Sequence, residues 1–555
     1  MKKHICITIF LFLFTIVLKA QDTKEAGFQS IKKDVVRAQL EFLSSDWMEG
    51  RGTGEKGEFM AGDYLASMFR LFGVQPGGDS ARTKVSREEH FMNGTETESY
   101  RSYFQNYELI KNTPTSDHVL SVKNCTEDGT EVIYFEQDVD FDIKNQPTTG
   151  VSIESPLVFV GYGFTDEEQG YDDYKNTDVE GKVILRLKGY PGMHDTASKG
   201  YKVFRPQNIR EAYRMVRQKD RLAAEKGVAA IIEIDRDFEL PESWTANHPF
   251  RYNYPYYEGD TDLPDIYDFS MHLPGDSLSN RPLGIELSTR AINYLLDGQD
   301  LDLSAFEKQA AKKLKSNPVE LENTKIILEY KPDLELIKSR NVIGYIEGKR
   351  KDEIIVVGGH YDHLGKYKGY IWNGADDNAS GTIAVMTLAR AFAMAGSQPE
   401  RTIVFAAWSG EEKGLHGSTY FARHPFGDSL ENIKIYLNFD MVSRDAKDDS
   451  LGNQGAMSFK DSLPFLGEMG KEHIAEKNLN LDFKYWPSKG QSGGSDYYPF
   501  SVKGIPFICY WGGFHVDYHR PGDHASKINY EKLTDIIRLA YLNIWELANE
   551  EWPDN

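Results

Sequence analysis

Cysteine is scarce in this chain of 555 residues, which contains only three. Cys6 lies in an N-terminal apolar run, so Cys125 and Cys509 remain for the folded protein. Two thiols cannot form the disulfide framework typical of small secreted domains. Because the two residues are far apart in sequence, we expect unpaired and mostly buried thiols, with a single bridge between them as the open alternative.

Basic residues are also in short supply. The chain has 64 Lys and Arg against 85 Asp and Glu, and its formal net charge is -21. Nucleic-acid binding depends on basic residues that replace counterions, so this charge argues against a nucleic-acid partner. We interpret it as a solvated surface. The length exceeds that of a single hydrophobic core and predicts two or three domains.

Long hydrophobic runs are missing except at the N terminus. Two lysines precede an apolar stretch over residues 5–18, and the small residue Ala20 follows. This pattern predicts a secretory signal peptide over residues 1–20, because the run is shorter than the roughly 20 residues that span a bilayer. We expect no transmembrane segment after its cleavage and export to a periplasm or to the medium.

The order of the predicted elements divides the remaining chain into two domains. From Arg340 onward, hydrophobic strands alternate with helices, which predicts a three-layer α/β fold whose mixed, mostly parallel sheet carries helices on both faces. Residues 150–330 have strands of their own and no catalytic-looking cluster, so we predict an inserted α+β domain there. The first domain is then discontinuous, over residues 21–149 and 331–555. Within the insert, residues 238–280 predict a long aromatic and acidic loop region.

A glycine-rich stretch, Glu49-Gly-Arg-Gly-Thr-Gly54, lies between two predicted helices of the first domain. It lacks the Gly-Lys-Ser/Thr ending of a phosphate-binding loop, and no apolar strand leads into it. The pattern therefore predicts a surface turn.

Histidines and carboxylates cluster where predicted strands end in the C-terminal half. In an open α/β sheet such strand ends converge on one crevice, where ligands and metals bind. A converging set without sulfur is hard to explain by packing, so it indicates a metal site, and its size favours two metals. The set consists of His360, Asp362, Asp377, Glu411, Glu412, Asp440 and His519.

Peptide hydrolysis is a reaction that this set can support. It needs an activated water, a charge sink for the oxyanion and a proton for the leaving amine, and two divalent metals about 3.5–4 Å apart contribute to the first two. A carboxylate must bridge such metals, and Asp377 is the candidate. His360, His519, Glu412 and Asp440 complete the ligand set. Nitrogen and oxygen ligands suit catalytic zinc, although manganese or cobalt also fits.

Two further carboxylates of the set have predicted roles beside the metals. Glu411 and Glu412 are adjacent and cannot easily perform one function. If Glu412 binds metal, Glu411 can face the water as general base and then serve as acid to the departing amine. Asp362 follows His360 by two residues and is placed to orient that imidazole.

Several motifs occur together in a recognisable order. They resemble those of the co-catalytic two-zinc aminopeptidase family, whose wider group includes glutamate carboxypeptidase and the transferrin receptor. The resemblance covers residues 30–110 and 335–550. The motifs are Gly359-His-Tyr-Asp362, Gly374-Ala-Asp-Asp-Asn-Ala-Ser-Gly381, Ser409-Gly-Glu-Glu412, Asn438-Phe-Asp-Met441, Gly494-Ser-Asp496 and Tyr518-His519.

The resemblance implies a fold, a function and a role for each site residue. The inserted block is similar to a protease-associated domain through its Gly-Tyr-Gly and Gly-Lys-Val-Ile-Leu stretches. The implied function is that of an exported metallopeptidase that binds two zinc ions per chain and releases N-terminal residues from peptide substrates. The implied roles are Asp377 as bridge, Glu412 and His519 at one zinc, His360 and Asp440 at the other, Glu411 as base, Asp362 behind the ligands, and Tyr518 as oxyanion donor.

Other functions stay open at this point. Carboxypeptidases and dipeptidases use the same metal core, and glutaminyl cyclases share the fold and carboxylate set with a single metal. A metal-free receptor-like protein is a third class, against which the complete ligand set argues.

A serine hydrolase is a further alternative. Gly490-Gln-Ser-Gly-Gly494 matches the nucleophile elbow of serine hydrolases, with Ser492 as nucleophile. That motif needs an apolar strand before it and a helix after it, and the context fails.

Four other histidines lie near the motifs. His515 and His524 are the rivals of His519 as metal ligand, and the motif around His519 favours the latter. We expect all four, including His363 and His416, to be structural or solvent-facing.

Overall fold

The computed structural model describes most of the chain. The signal peptide predicted over residues 1–20 lies outside the described residues, as do Ser492 and most of the 238–280 loop region. No helix within the described part is long and apolar enough to cross a membrane. The described residues are 23–84, 97–113, 115, 118–126, 129–137, 139–145, 147–207, 209–234, 269–276, 282–447, 449–490 and 493–553.

Helices and strands follow one another in three stretches of the chain. The first contains α1 (Lys33–Leu43), α2 (Lys56–Phe72), β1 (Gln75–Pro76), β2 (Ser80–Lys84), β3 (Thr97–Arg101) and β4 (Phe104–Thr113). The second contains β5 (Val119–Thr126), β6 (Gly129–Phe135), β7 (Phe141–Asn145), β8 (Val151–Phe159), β9 (Thr165–Asp166), β10 (Tyr171–Asp172), β11 (Val183–Leu187), α3 (Lys199–Phe204), α4 (Ile209–Glu225), β12 (Ala230–Ile234), β13 (Ser270–His272), β14 (Leu283–Leu287), α5 (Thr289–Leu296), α6 (Leu303–Lys313) and β15 (Val319–Tyr330). The third contains β16 (Asp333–Ile346), β17 (Arg350–His360), β18 (Gly365–Tyr367), β19 (Tyr370–Trp372), α7 (Gly381–Ala395), β20 (Arg401–Trp408), α8 (His416–Arg423), β21 (Ile433–Phe439), β22 (Gln454–Lys460), α9 (Phe465–Lys477), β23 (Asp482–Ser488), α10 (Tyr498–Ser501), β24 (Phe507–Trp511) and α11 (Tyr530–Asn549).

The described residues form two compact units. Unit 1 contains those up to Leu109 and from Ile337 onward, and unit 2 contains those between Ile110 and Leu336. The insert predicted from the sequence begins at residue 150, whereas unit 2 begins earlier. The reason is that β5, β6 and β7 pair into the same sheet as β8. The resemblance of this unit to a protease-associated domain stays a prediction.

The sheet of unit 1 has a parallel centre. Its strands are hydrogen bonded in the order β4-β16-β20-β17-β21-β24-β22-β23. The four middle strands, β20, β17, β21 and β24, are parallel, and each flank of this group pairs antiparallel with the next strand. The chain passes from β17 to β20 on one side and then to β21 on the other. This reversal makes β17 a topological switch point, where ligands bind outside the carboxyl ends of the strands.

Helices cover both faces of this sheet. On one face, buried apolar residues of α1, α2, α7 and α11 form a single core with the strands, among them Leu40, Leu65, Leu388 and Ile537. On the other face, Trp408 packs with Phe421 of α8 and Phe500 of α10. The predicted three-layer, mixed and mostly parallel fold is therefore confirmed.

Unit 2 has a sheet and a core of its own. The sheet runs in the order β6-β5-β15-β8-β11-β12-β14-β7. The strands β8, β11, β12 and β14 are parallel, and the outer pairs are antiparallel. Leu157, Leu185 and Ile232 are fully buried within this sheet. The alternation of these short apolar strands with helices explains why the sequence predicted a separate domain here.

Candidate metal centre

The carboxylates and histidines selected from the sequence meet at the carboxyl edge of the parallel strands. The reason is topological, since each belongs to a strand end or to the loop that follows one. His360 ends β17 and Asp362 follows it, Asp377 lies in the irregular turn before α7, Glu411 and Glu412 follow β20, Asp440 follows β21, and His519 lies in the loop after β24.

Asp377 lies between two imidazoles and presents a different oxygen to each. Its Oδ1 is 3.5 Å from Nε2 of His360, and its Oδ2 is 3.0 Å from Nε2 of His519. His519 Nε2 is also 3.2 Å from Glu412 Oε2, and His360 Nε2 is 3.5 Å from Asp440 Oδ1. The five side chains thus form two groups that share one carboxylate. This is the arrangement that two neighbouring cations require.

Glu411 lies beside these groups. Its Oε2 is 3.8 Å from His360 Nε2, and a ligand atom of each of Glu411, His360 and Asp440 falls within 4.8 Å of the others. Burial raises the pKa of Glu411 well above its ordinary value, and the charges of Glu412 and Asp496 add to the effect. A carboxyl group in this environment takes up a proton readily.

The electrostatics of the cluster favour a bound cation. In the described part of the chain, the ion pairs of Asp377, Glu411, Glu412 and Asp440 are all with histidines. Burial opposes protonation of His519, yet Glu412 and Asp377 raise its pKa to about 10. Nitrogen and oxygen donors without sulfur fit zinc. These residues therefore fit a pair of zinc ions.

Asp362 holds the loop that carries the two glutamates. Its Oδ1 accepts a hydrogen bond from the Glu411 backbone N at 3.1 Å, and its Oδ2 accepts one from Thr53 Oγ1 at 2.8 Å. Nδ1 of His360 is 3.2 Å from the Asp362 backbone oxygen and 3.8 Å from the Asp362 carboxylate. The side chain predicted to orient the imidazole thus contacts the glutamate loop more closely.

A further carboxylate, Asp523, fixes the turn that contains Asp377. Its Oδ2 accepts hydrogen bonds from the backbone N of Asp376 at 2.9 Å and of Asp377 at 3.1 Å. Asp376 Oδ1 in turn accepts from the backbone N of Ser443 at 2.9 Å, in the loop after Asp440. These buried acids connect the segments that supply Asp377 and Asp440. Asp523 is not among the residues selected from the sequence, although it follows His519 by only four residues.

The glycine-rich stretch before α2 is buried against this centre, so the predicted surface turn is wrong. Arg51 is fully buried and donates to the carbonyl oxygens of Leu43, Tyr361, Asn373 and Gly374 at 2.8–2.9 Å. Burial lowers its pKa to about 10. Its planar guanidinium group thus ties together the two segments that follow His360 and precede Asp377.

The histidines that were expected to be structural or solvent-facing differ from one another. His363 is fully buried, and its Nδ1 is 2.6 Å from Glu412 Oε1. His515 is also buried, with Nε2 3.4 Å from Asp376 Oδ2. His524 is exposed, with Nδ1 3.4 Å from the Asn373 side chain. Of the three rivals, only His519 lies against both Asp377 and Glu412.

Aromatic rings extend from His519 toward the surface. The Tyr518 ring stacks on the His519 imidazole with centroids 3.8 Å apart. Phe514 lies 4.9 Å from Tyr518, Trp511 lies 5.2 Å from Phe514, and Trp486 lies 5.9 Å from Trp511. Phe514 and Trp486 are exposed. The rings therefore form an apolar wall beside the candidate metal centre.

Two other sequence predictions concern the cysteines and Ser492. Cys509 is a buried free thiol that accepts a hydrogen bond from Asn438 Nδ2 at 3.5 Å. The side chain of Cys125 is outside the described residues. Ser492 is outside them as well. The mostly exposed strand β23 ends at Ser488 before it and only the four-residue helix α10 follows, which is not the buried strand and long helix of a nucleophile elbow.

The buried Arg51 generates a prediction about stability. In Arg51→Lys a single ammonium group replaces a planar fork of donors, and buried carbonyl oxygens lose their partners. We expect the free energy of unfolding to fall by about 2–4 kcal/mol, measured by urea denaturation. Arg37→Lys, at an exposed arginine paired with Glu41, is the control and should change it by less than about 0.5 kcal/mol. Equal effects of the two substitutions would refute this role of Arg51.

Comparison with known proteins gives three related findings. The model described as Peptidase family M28 matches residues 341–543. The probable leucine aminopeptidase 2 of Aspergillus oryzae is 26% identical over 211 residues, which are 34% of this chain and 41% of the relative. The glutamate carboxypeptidase 2 homolog of Caenorhabditis elegans is 30% identical over 226 residues, 39% of this chain and 26% of the relative. The chain thus spans less than half the length of these relatives.

Among solved structures, the aminopeptidase from Aneurinibacillus sp. strain AM-1 aligns with 96% of this chain and 98% of its own length. The TM-score is 0.54 and the sequence identity is 18%, so this likeness shows the fold alone. The segment that matches the family model, residues 341–543, contains every candidate metal ligand and Glu411. Through this segment, the chain matches the model of peptidase family M28.

Proposed function

We propose that unit 1 is a two-zinc metallopeptidase that removes N-terminal residues from peptides. The observation that carries this proposal is the position of Asp377, whose two oxygens face His360 and His519 with Glu411 alongside. The match to peptidase family M28 and the leucine aminopeptidase relatives support the same conclusion.

The five ligands divide between two zinc ions per chain. Asp377 would hold both ions, together with His519 and Glu412 at one site and His360 and Asp440 at the other. The short distances within each group support this division. His363 positions Glu412 by the hydrogen bond to its second oxygen, as residues behind metal ligands commonly do.

Glu411 acts as the general base and then as the general acid. When bound, the two zinc ions lower the pKa of a water molecule and polarise the scissile carbonyl group. Glu411 takes the proton of that water on its carboxylate and passes it to the nitrogen of the departing amine. Its buried position beside Glu412 and Asp496 favours binding of the proton between these two steps. Tyr518 is proposed to donate a hydrogen bond to the oxyanion.

The open side of the cluster supports the proposed preference for N termini. The side chains of Glu411 and Asp440 are 13% and 15% exposed to solvent, whereas those of His360 and Asp377 are 1% and 5% exposed. A positively charged α-amino group can approach these two carboxylates from solvent. Only the first peptide bond then reaches the base.

The aromatic wall supports an apolar N-terminal residue as the preferred substrate side chain. Phe514 is 37% exposed and Trp486 is 44% exposed, so part of each ring is accessible to a ligand. An apolar side chain that covers such rings is removed from water, which is favourable. The proposed location is outside the cell, by way of the signal peptide predicted over residues 1–20.

The proposal is tested by measuring zinc content and peptide release on the same preparation. We expect two zinc ions per chain, release of N-terminal residues from free peptides, loss of release with a chelator and recovery with zinc. Among N-terminal residues, leucine and phenylalanine should be released faster than aspartate.

Peptides with acetylated N termini are the control, because acetylation removes the charged amine. Cleavage of acetylated peptides from the C terminus would replace the aminopeptidase proposal with a carboxypeptidase one. Conversion of N-terminal glutamine without hydrolysis, with one zinc per chain, would favour a cyclase. Absence of bound zinc would favour the receptor-like alternative.

The role of the base predicts a selective effect of Glu411→Gln. The amide cannot take up the proton of water, so kcat should fall by about 10²–10⁴-fold. Zinc content, measured by mass spectrometry of the metal, should stay at two ions per chain, since the five ligands are unchanged. Glu431→Gln, at an exposed glutamate before β21, is the matched control and should leave kcat unaltered. Near-normal turnover of the Glu411 variant would show that another group is the base.

A further inference from the structure

Glu58 is a buried carboxyl group near the centre that the proposed reaction does not use. It lies in the first turn of α2 and is fully buried. Its Oε2 accepts a hydrogen bond from the Gly54 backbone N at 2.7 Å, and its Oε1 contacts the hydroxyl group of Ser409. Ser339 Oγ is 3.5 Å from the same Oε1 and also contacts the Ser409 hydroxyl. Within the described residues, the hydrogen-bond partners of the Glu58 carboxyl group are therefore one backbone amide and two hydroxyl groups.

Ser409 is the point from which the catalytic loop starts. It directly follows β20, and Glu411 and Glu412 come two and three residues later. Its backbone N donates to Asn341 Oδ1 at 3.2 Å, and its carbonyl oxygen accepts from Tyr107 Oη at 2.9 Å. Its side chain is held by Glu58. The position of Ser409 is thus fixed through its backbone and through its side chain.

The loop is held from a second side as well. The Asp362 carboxylate accepts hydrogen bonds from the backbone N of Glu411 at 3.1 Å and of Glu412 at 3.4 Å. Thr53, from the same stretch that leads to Glu58, donates to that carboxylate at 2.8 Å. Thr53 before α2 and Glu58 in its first turn therefore support the loop from two sides, Thr53 through Asp362 and Glu58 through Ser409.

We propose that Glu58 is a positioning residue, which holds Ser409, and through it Glu411 and Glu412, by acting as a neutral carboxylic acid. The consequence for turnover rests on the proposed peptidase function. The Ser409 hydroxyl group donates to Glu58 Oε1, and the Ser339 hydroxyl group contacts both oxygen atoms, so the three side chains form one buried hydrogen-bonded group. A charged Glu58 would add one more carboxylate to a buried cluster that already contains several.

The surroundings of Glu58 support the neutral form. Burial raises the pKa of Glu58 to about 8, and the charge of Asp362 adds to this effect. Arg340 opposes it, but its guanidinium group donates to Asp63 and to the Phe59 carbonyl oxygen. The titratable and charged groups that face Glu58 from neighbouring elements are Asp362 and Tyr361 after β17, Arg340 on β16 and Tyr107 on β4.

The first test compares the melting temperatures of Glu58→Gln and the wild type from pH 5 to pH 9. The ordinary pKa of 4.5 is raised to about 8 by folding, so the contribution of the neutral acid is full below pH 4.5 and is lost as the pH rises to about 8. Glutamine does not titrate. The variant should therefore gain stability relative to the wild type between pH 5 and pH 8, and the difference should level off above that.

Glu41→Gln, at an exposed glutamate of α1, is the control for this test and should show a difference independent of pH. A flat or falling difference for Glu58→Gln would mean that Glu58 is charged in the folded protein, which would overturn the proposal. This readout needs no enzymatic activity. It therefore stays decisive even if the wild type with zinc cleaves no peptide and the proposed function fails.

The second test measures steady-state kinetics of zinc-loaded Glu58→Ala, Glu58→Gln and Ser409→Ala. Removing the support of the loop should lower kcat of Glu58→Ala by about 10²-fold with KM and zinc content nearly unchanged. Glu58→Gln, which keeps a donor and an acceptor, should recover most of this loss. Combining Glu58→Ala with Ser409→Ala should cost little more than either alone, because both break the same contact.

Full kcat in a folded Glu58→Ala variant would overturn the positioning role, and so would additive losses in the double variant. If Glu58→Ala does not fold, the comparison of Ser409→Ala with Glu58→Gln decides the question. The proposal then requires a loss of kcat in the serine variant and near-normal kcat in the glutamine variant. The opposite order would refute it.

Discussion

The crowding of buried carboxylates at one edge of the unit 1 sheet is the constraint on which the rest of the structure depends. Asp362, Asp377, Glu411, Glu412 and Asp440 are brought to the same crevice because each lies beside a strand end. Like charges in a buried place repel strongly unless hydrogen bonds, cations or protons compensate them. The chain compensates them in part with histidines. The proposed pair of zinc ions would complete this compensation and supply the chemistry of hydrolysis.

Much of the surrounding architecture serves to hold these charges at fixed positions. Most of this support comes from hydrogen bonds that backbone amides donate to carboxylates. Asp362 accepts them from the loop of the two glutamates, and Asp523 accepts them from the turn that contains Asp377. Arg51 donates hydrogen bonds to carbonyl oxygens and thereby fixes the backbone after His360 and before Asp377. Its positive charge also interacts favourably with the carboxylates of Asp362 and Asp377. Rigid support of this kind is what a catalytic site needs, because small displacements of reacting groups reduce the rate.

The sequence predicts the central strands of this fold and the residues at their ends well. It predicts the buried residues that support the site from other segments less well. The parallel strands are short apolar runs that end in polar motifs, so both the layered fold and the residues at the strand ends follow from local patterns. Arg51 and Glu58 could not be found in this way. Most of their partners are hundreds of residues away, and the glycines around Arg51 are equally typical of an exposed turn. Gly50 illustrates the difference, with φ +70° and no room for a side chain beside the Gly365 carbonyl oxygen. The start of unit 2 at Ile110 depends on strand pairing, which no local pattern records.

The most direct test of the central claim is anomalous diffraction at the zinc absorption edge from crystals of the zinc-loaded protein. The account predicts two peaks about 3.5–4 Å apart. Each should lie about 2.0–2.2 Å from one oxygen of Asp377, with His519 at one peak and His360 at the other. A single peak, or two peaks of which neither contacts Asp377, would contradict the account.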